Sequence, residues 1–93
     1  MATNKIHGET STGFKYTVDP EVIHDMEFIE LASDVEENGT VLPKLLEMLL
    51  GAKQKAALYD HVRTKKGRVL VEDVSDQIKE IFDALAESAE TKN

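Results

Sequence analysis

The clearest alternation of apolar and polar positions lies in the last third of the chain. Val74, Ile78, Ile81, Phe82, Leu85 and Ala89 recur at spacings of three and four, the period of a helix that buries one face. This predicts a helix D within residues 69–88, led by the extended piece Val69-Leu70-Val71 and starting between Glu72 and Ser75. A frayed tail over residues 89–93 follows. Upstream, the segment Val41-Leu42-Pro43-Lys44-Leu45-Leu46-Glu47-Met48-Leu49-Leu50 is apolar nearly all round, so a helix B here should be deeply buried. Thr40 is its expected cap, and Pro43 falls in the first turn, where a missing N–H loses no bond. Gly51 should break the helix, and residues 52–63 then form a helix C with Ala56, Leu58, Tyr59 and Val62 turned inward. Residues 40–63 thus hold helices B and C, and residues 64–68 read as a loop.

Helix A is expected within residues 19–38, starting at Asp19-Pro20-Glu21 and stopping at Asn38-Gly39. Its apolar residues form two stripes. Val22, Ile23, Met26 and Ile29 share one face, and Phe28, Leu31, Ala32 and Val35 occupy another, rotated around the axis. Such a helix either lies between two partners in its own fold or keeps an apolar face for another chain. In residues 1–18, Phe14, Tyr16 and Val18 alternate with Lys15 and Thr17 as in a half-buried strand. With Lys5-Ile6-His7 this makes either a small hairpin resting on helices or a flexible arm. The fold class is therefore mainly α, a compact bundle of about four helices, with an N-terminal β-hairpin as its minor α+β component. Ninety-three residues fit one domain, spanning 1–93.

Composition adds that the chain is globular: 41% of residues are hydrophobic and 31% charged, too apolar for a disordered segment. Cysteine is absent, which removes disulfides, thiolate nucleophiles and Cys-based zinc sites and suits a reducing compartment. The first residues lack the apolar stretch of a secretory signal, and no window approaches the length of a membrane span. The expectation is a soluble protein with no membrane partner. A net charge of −7 also argues against nucleic acid as a partner.

The charges are segregated along the chain. Residues 19–39 carry eight acids and no Lys or Arg, residues 40–68 seven bases and two acids, and residues 69–93 seven acids and two bases. Helix A cannot neutralise itself. Either it packs beside the basic segment and is otherwise solvated, or its acids form a surface for a basic partner.

Catalytic and metal-binding patterns are missing. His7, His24 and His61 lie in separate segments, with no His-Glu-x-x-His spacing. Asp34-Val35-Glu36-Glu37-Asn38-Gly39 lacks the order and closing Glu of a calcium loop. Ser11, Ser33, Ser75 and Ser88 sit in no nucleophile turn, and the five glycines form no phosphate-binding fingerprint. The expectation is no enzyme, no cofactor and no metal.

The order of elements is more informative than any one of them. An acidic first helix precedes Leu46-Glu47-Met48-Leu49-Leu50-Gly51, then a helix ending in His61-Val62-Arg63, then Lys66-Gly67-Arg68-Val69. Glu72-Asp73-Val74, Ile78-Lys79-Glu80-Ile81-Phe82 and a Lys-Asn ending follow. Over roughly residues 20–93 this resembles the tail assembly chaperones of siphovirus-type phages and prophages of Gram-positive bacteria. The resemblance implies a small helical, non-catalytic protein of the host bacterial cytoplasm. It would bind the tape measure protein, keep it soluble, help recruit tail tube protein and be missing from the mature virion. It also implies a longer frameshifted product in many members, the ending Glu90-Thr91-Lys92-Asn93 fitting the shorter form. For partner binding, Met26, Phe28, Leu31 and Val35 are the expected apolar contacts, with Glu27, Glu30 and Asp34 for steering. Taken singly, Phe28 and Leu31 read first as core. Two alternatives remain: an acidic inhibitor that mimics DNA phosphates, and a structural phage component.

Overall fold

Six leucines of the middle segment, Leu42, Leu45, Leu46, Leu49, Leu50 and Leu58, are buried together, and the rest of the chain is arranged around them. The computed structural model describes residues 5–35 and 37–90. In chain order it contains β1 (Ile6–Glu9), β2 (Lys15–Val18), α1 (Met26–Asp34), α2 (Leu42–Val62) and α3 (Val71–Glu90). Single 3₁₀ turns, Pro20–His24 and Gly39–Val41, precede α1 and α2. The fold is mainly α with a small hairpin, as expected, but it has three helices rather than about four. Residues 42–62 run as one helix kinked at Gly51, whose φ of 84° and ψ of 160° interrupt the helical geometry. Those angles suit a residue without Cβ.

Helix A is shorter than the sequence suggests and is split. Asp19 accepts from Glu21 N–H at 2.9 Å and caps the turn Pro20–His24; Asp25 then leaves the helical region and caps α1 afresh. Its Oδ1 accepts from Glu27 N–H at 2.9 Å and Phe28 N–H at 3.4 Å. A short acidic side chain competing for backbone donors is the physical cause of the break. It divides the first apolar stripe, leaving Val22 and Ile23 on the 3₁₀ turn and Met26 and Ile29 on α1 together with Phe28, Leu31 and Ala32. The helix ends at Asp34 rather than Glu37, with Asn38 N–H donating back to Asp34 O at 2.8 Å.

Two further boundaries differ. Asn38, not Thr40, supplies the capping oxygen before α2, and it serves the turn Gly39–Val41. Helix α3 begins at Val71, ahead of the expected 72–75, with Val74 N–H donating to Leu70 O at 3.1 Å. Within helix C's stretch, Leu58 is buried and Tyr59 and Val62 pack against the core, but Ala56 faces outward. Residues 91–93 of the expected frayed tail and the acid Glu36 lie outside the described residues.

Residues 6–18 form the hairpin. The strands pair antiparallel in the register Ile6↔Val18, His7↔Thr17, Gly8↔Tyr16 and Glu9↔Lys15. Phe14, Tyr16 and Val18 all point into the core, so the pair gains the support that two strands alone lack. Gln54 of α2 treats β2 as a further strand would: its Oε1 accepts from Thr17 N–H at 2.7 Å and its Nε2 donates to Thr17 O at 2.7 Å. The turn is clamped to α3, where Glu80 accepts from Ser11 N–H and Ser11 Oγ–H, both at 2.7 Å. Thr12 Oγ1 donates to Gln77 Oε1 at 3.2 Å and lies 3.0 Å from His61 Nε2. The two Ser11 bonds hold the Glu80 carboxyl below its usual range. Burial, and then the charge of Glu80, push the Tyr16 phenol up.

Two outcomes follow. The Tyr16 ring lies against Gly8, where a Cβ would collide with its phenol oxygen. Gly8→Ala should therefore cost about 1–3 kcal/mol in urea unfolding, since the buried ring has no room to yield. The second concerns pH. Glu80 has a depressed folded-state pKa, so its contribution is present above the unfolded carboxylate range and is lost as pH falls through the folded value. The Ser11 amide resonance should titrate below the normal glutamate range, and Glu80→Gln should abolish that titration.

Candidate functional site

Helix α1 is nine residues long and packs mainly against α2, with Leu31, Ala32 and Val35 resting on the core. Its one buried residue is Phe28, 3% exposed, whose ring meets Phe82 of α3 edge-on with centroids 5.8 Å apart. Phe28, for which the sequence allowed either role, is thus a core residue. Leu31 and Val35 flank it and are half-buried against the core. Met26, by contrast, is 66% exposed, and Ile29 is 46% exposed. Ile29 was not among the expected contacts, although its spacing of three from Met26 placed both on one stripe.

The helix presents two flanks. Toward α2, Glu27, Glu30, Leu31 and Asp34 line a depression of about 310 Å³ that also includes Lys44 and Met48. Spacings of three and four put these residues on one side of α1, so the structure brings the three expected steering acids together around one half-buried leucine. Toward α3, a groove of about 430 Å³ is lined by Ile23, Phe28, Ile29, Ala32, Phe82, Leu85 and Ala86, with Ser33 its sole polar side chain. Met26 stands exposed on α1 between these two flanks.

The acids are not neutralised by contact. Among the described residues, the ion pairs are Lys55–Glu47 at 2.9 Å and Arg63–Asp60 at 3.2 Å. Both join a base of α2 or its C-terminal edge to an acid of α2 itself. Lys44 shares the depression with Glu27, Glu30 and Asp34 without forming such a pair. Packing beside the basic segment therefore leaves the charge of α1 facing solvent.

A further depression of about 520 Å³ lies where the hairpin turn meets α3, lined by His61, Asp73, Asp76, Gln77, Glu80 and Asp83 among others. Three of these hold the turn, Glu80 through Ser11 and Gln77 and His61 through Thr12, while Asp73, Asp76 and Asp83 make no side-chain hydrogen bond among the described residues. Among the described residues no three His, Asp or Glu side chains are placed to hold a metal ion, and no helix is long and apolar enough to cross a membrane.

Truncation separates anchor from display. Phe28→Ala should destabilise the protein by about 3–5 kcal/mol, whereas Met26→Ala should stay within about 0.5 kcal/mol; thermal unfolding of both variants measures the difference. No family model matches the chain, nor does any curated protein or solved structure.

Proposed function

We propose that this protein is a non-catalytic phage tail assembly chaperone that binds the tape measure protein and keeps it soluble during tail assembly. The observation that carries the reading is the outer face of α1, where carboxylates that form no ion pair among the described residues line one flank and an apolar groove containing Ile29 lines the other. A long helix with one apolar stripe and lysines beside it is the complementary shape. Its stripe covers Ile23, Ile29, Phe82 and Ala86, and Met26 at the edge adapts to irregular side chains. Glu27, Glu30 and Asp34 steer the encounter and set its orientation.

The strength of such a contact suits a chaperone. Burying Met26 and Ile29 contributes roughly 1.5–3 kcal/mol each, less the cost of association. One copy therefore holds its target weakly and lets go when tail tube protein takes its place. The order of elements along residues 20–93 supports the phage assignment. On that assignment the protein acts in the host bacterial cytoplasm and is missing from the finished virion.

Co-expression with the tape measure protein tests the reading: the target should move from the insoluble to the soluble fraction. Ile29→Asp should reverse that gain while the chaperone stays folded. Reversing Glu27, Glu30 and Asp34 to Lys should slow association about tenfold at low salt and flatten its salt dependence. A target that stays insoluble across several lengths, or an unchanged salt slope, contradicts the proposal.

A further inference from the structure

The connection between α2 and α3 is a loop closed by its own backbone. Thr64 N–H donates to Arg68 O at 2.8 Å and Gly67 N–H to Thr64 O at 2.9 Å, while the Arg63 side chain donates to Gly67 O at 3.0 Å. Lys65, Lys66 and Arg68 stand exposed around this loop, and among the described residues none of the three forms an ion pair. The apolar positions that follow are uncovered as well: Leu70 is 41% and Val71 64% exposed. Three cations crowded in one loop repel one another, and bare aliphatic side chains gain nothing from water. Neither feature helps the fold.

Charge and apolarity together select the kind of partner. A nucleic-acid strand would satisfy the cations but leave Leu70 and Val71 wet, and residues 63–72 include no aromatic side chain on which a base would stack. A duplex or an anionic membrane extends past the tip to Glu72, Asp73 and Asp76 at the start of α3, whose charge opposes it. A short acidic segment of protein, with apolar side chains between its carboxylates, matches both halves of the patch at once.

We propose that the tip formed by the α2–α3 loop and the start of α3 is a docking surface for such an acidic, apolar segment of another protein. Its carboxylates meet Lys65, Lys66 and Arg68, and its apolar side chains cover Leu70 and Val71. The patch is small and its charges are exposed, so binding is weak and salt-sensitive. Its sign is opposite to that of α1, so the two surfaces take different partners. Val71 precedes Phe82, which underlies α1, by eleven residues of continuous helix, about 16 Å at 1.5 Å per residue. Both surfaces are therefore open to occupation together, and the tip holds its segment whatever α1 binds.

Amide shifts of the labelled full chain, titrated with a capped peptide of about twelve residues repeating Glu-Glu-Leu-Leu, test this. At low salt the shifts should concentrate on residues 64–73, with a Kd of about 1 mM or tighter. Near 1 M salt, where the Debye length is about 3 Å, the Kd should rise at least about tenfold. Lys65→Glu with Lys66→Glu and Arg68→Glu should weaken binding by a similar factor, whereas Lys15→Glu with Lys53→Glu and Lys79→Glu, of equal net charge, should change it less than about threefold. Leu70→Ser with Val71→Ser should also weaken it about tenfold. That variant keeps the fold, because Leu70 O opens α3 by accepting from Val74 N–H and serine is a favoured residue there. A peptide with serine in place of leucine should bind at least about fivefold more weakly. The proposal is overturned by an absence of tip shifts at millimolar peptide, or by equal binding of the serine peptide. Tighter binding of the tip to a thymidine oligonucleotide or to phosphatidylserine vesicles assigns the surface to those partners and also overturns it. So does a change in the chain's own average mass on tip reversal, measured by sedimentation, which assigns the surface to a second copy.

Discussion

The edge-on contact between Phe28 and Phe82 fixes what the molecule shows to its surroundings. A nine-residue helix is too short to persist alone in water, so α1 depends on its packing against α2 and on the one buried aromatic that meets α3. With Phe28 its only buried residue, much of its circumference is left outside. Met26, Ile29, Glu27, Glu30 and Asp34 are consequently exposed, and they are the side chains a partner would meet first. The hairpin and the kink at Gly51 act behind this contact. Together with α2 and α3 they complete the buried cluster on which Phe28 rests.

The parts of this arrangement that rest on periodicity were legible in the amino-acid order. Val74, Ile78, Ile81 and Leu85 are buried as their spacing demands, and the apolar run 42–50 lies in the core. The interruption at Gly51 follows from the residue type. What escaped reading is local competition for backbone donors. Asp25 resembles any other acid in an acidic stretch, yet its side chain restarts the helix. Gln77, buried at the hairpin turn, and Gln54, which pairs with Thr17 across 37 residues, gave no periodic signal because polar positions carry none. The same limit applied at the site. The acids of α1 were identifiable by type and spacing, but whether Phe28 or Ile29 faced outward depended on the rotation of a helix whose start was set by Asp25.

Charge gives the surface its direction. Among the described residues Lys55 pairs within α2 and Arg63, at its C-terminal edge, with Asp60, while Lys44, Lys53 and the bases of the loop at 65–68 form no ion pair, so none of them cancels the carboxylates of α1. Exposed carboxylates beside apolar side chains do little for stability and much for encounter rate and selectivity. Such a surface suits a protein that works by holding another macromolecule for a time. The hairpin, clamped through Ser11 and Glu80, is a brace for the core.

The proposed function is tested most directly by where a helical, basic, amphipathic segment of the tape measure protein would touch this chain. Amide chemical shifts recorded while such a peptide is titrated into the labelled protein give the answer residue by residue. The account predicts that the shifts concentrate on α1 and on residues 82–86 of α3, with the hairpin unaffected. Shifts confined to the hairpin turn and His61, or no shifts at saturating peptide, would contradict it.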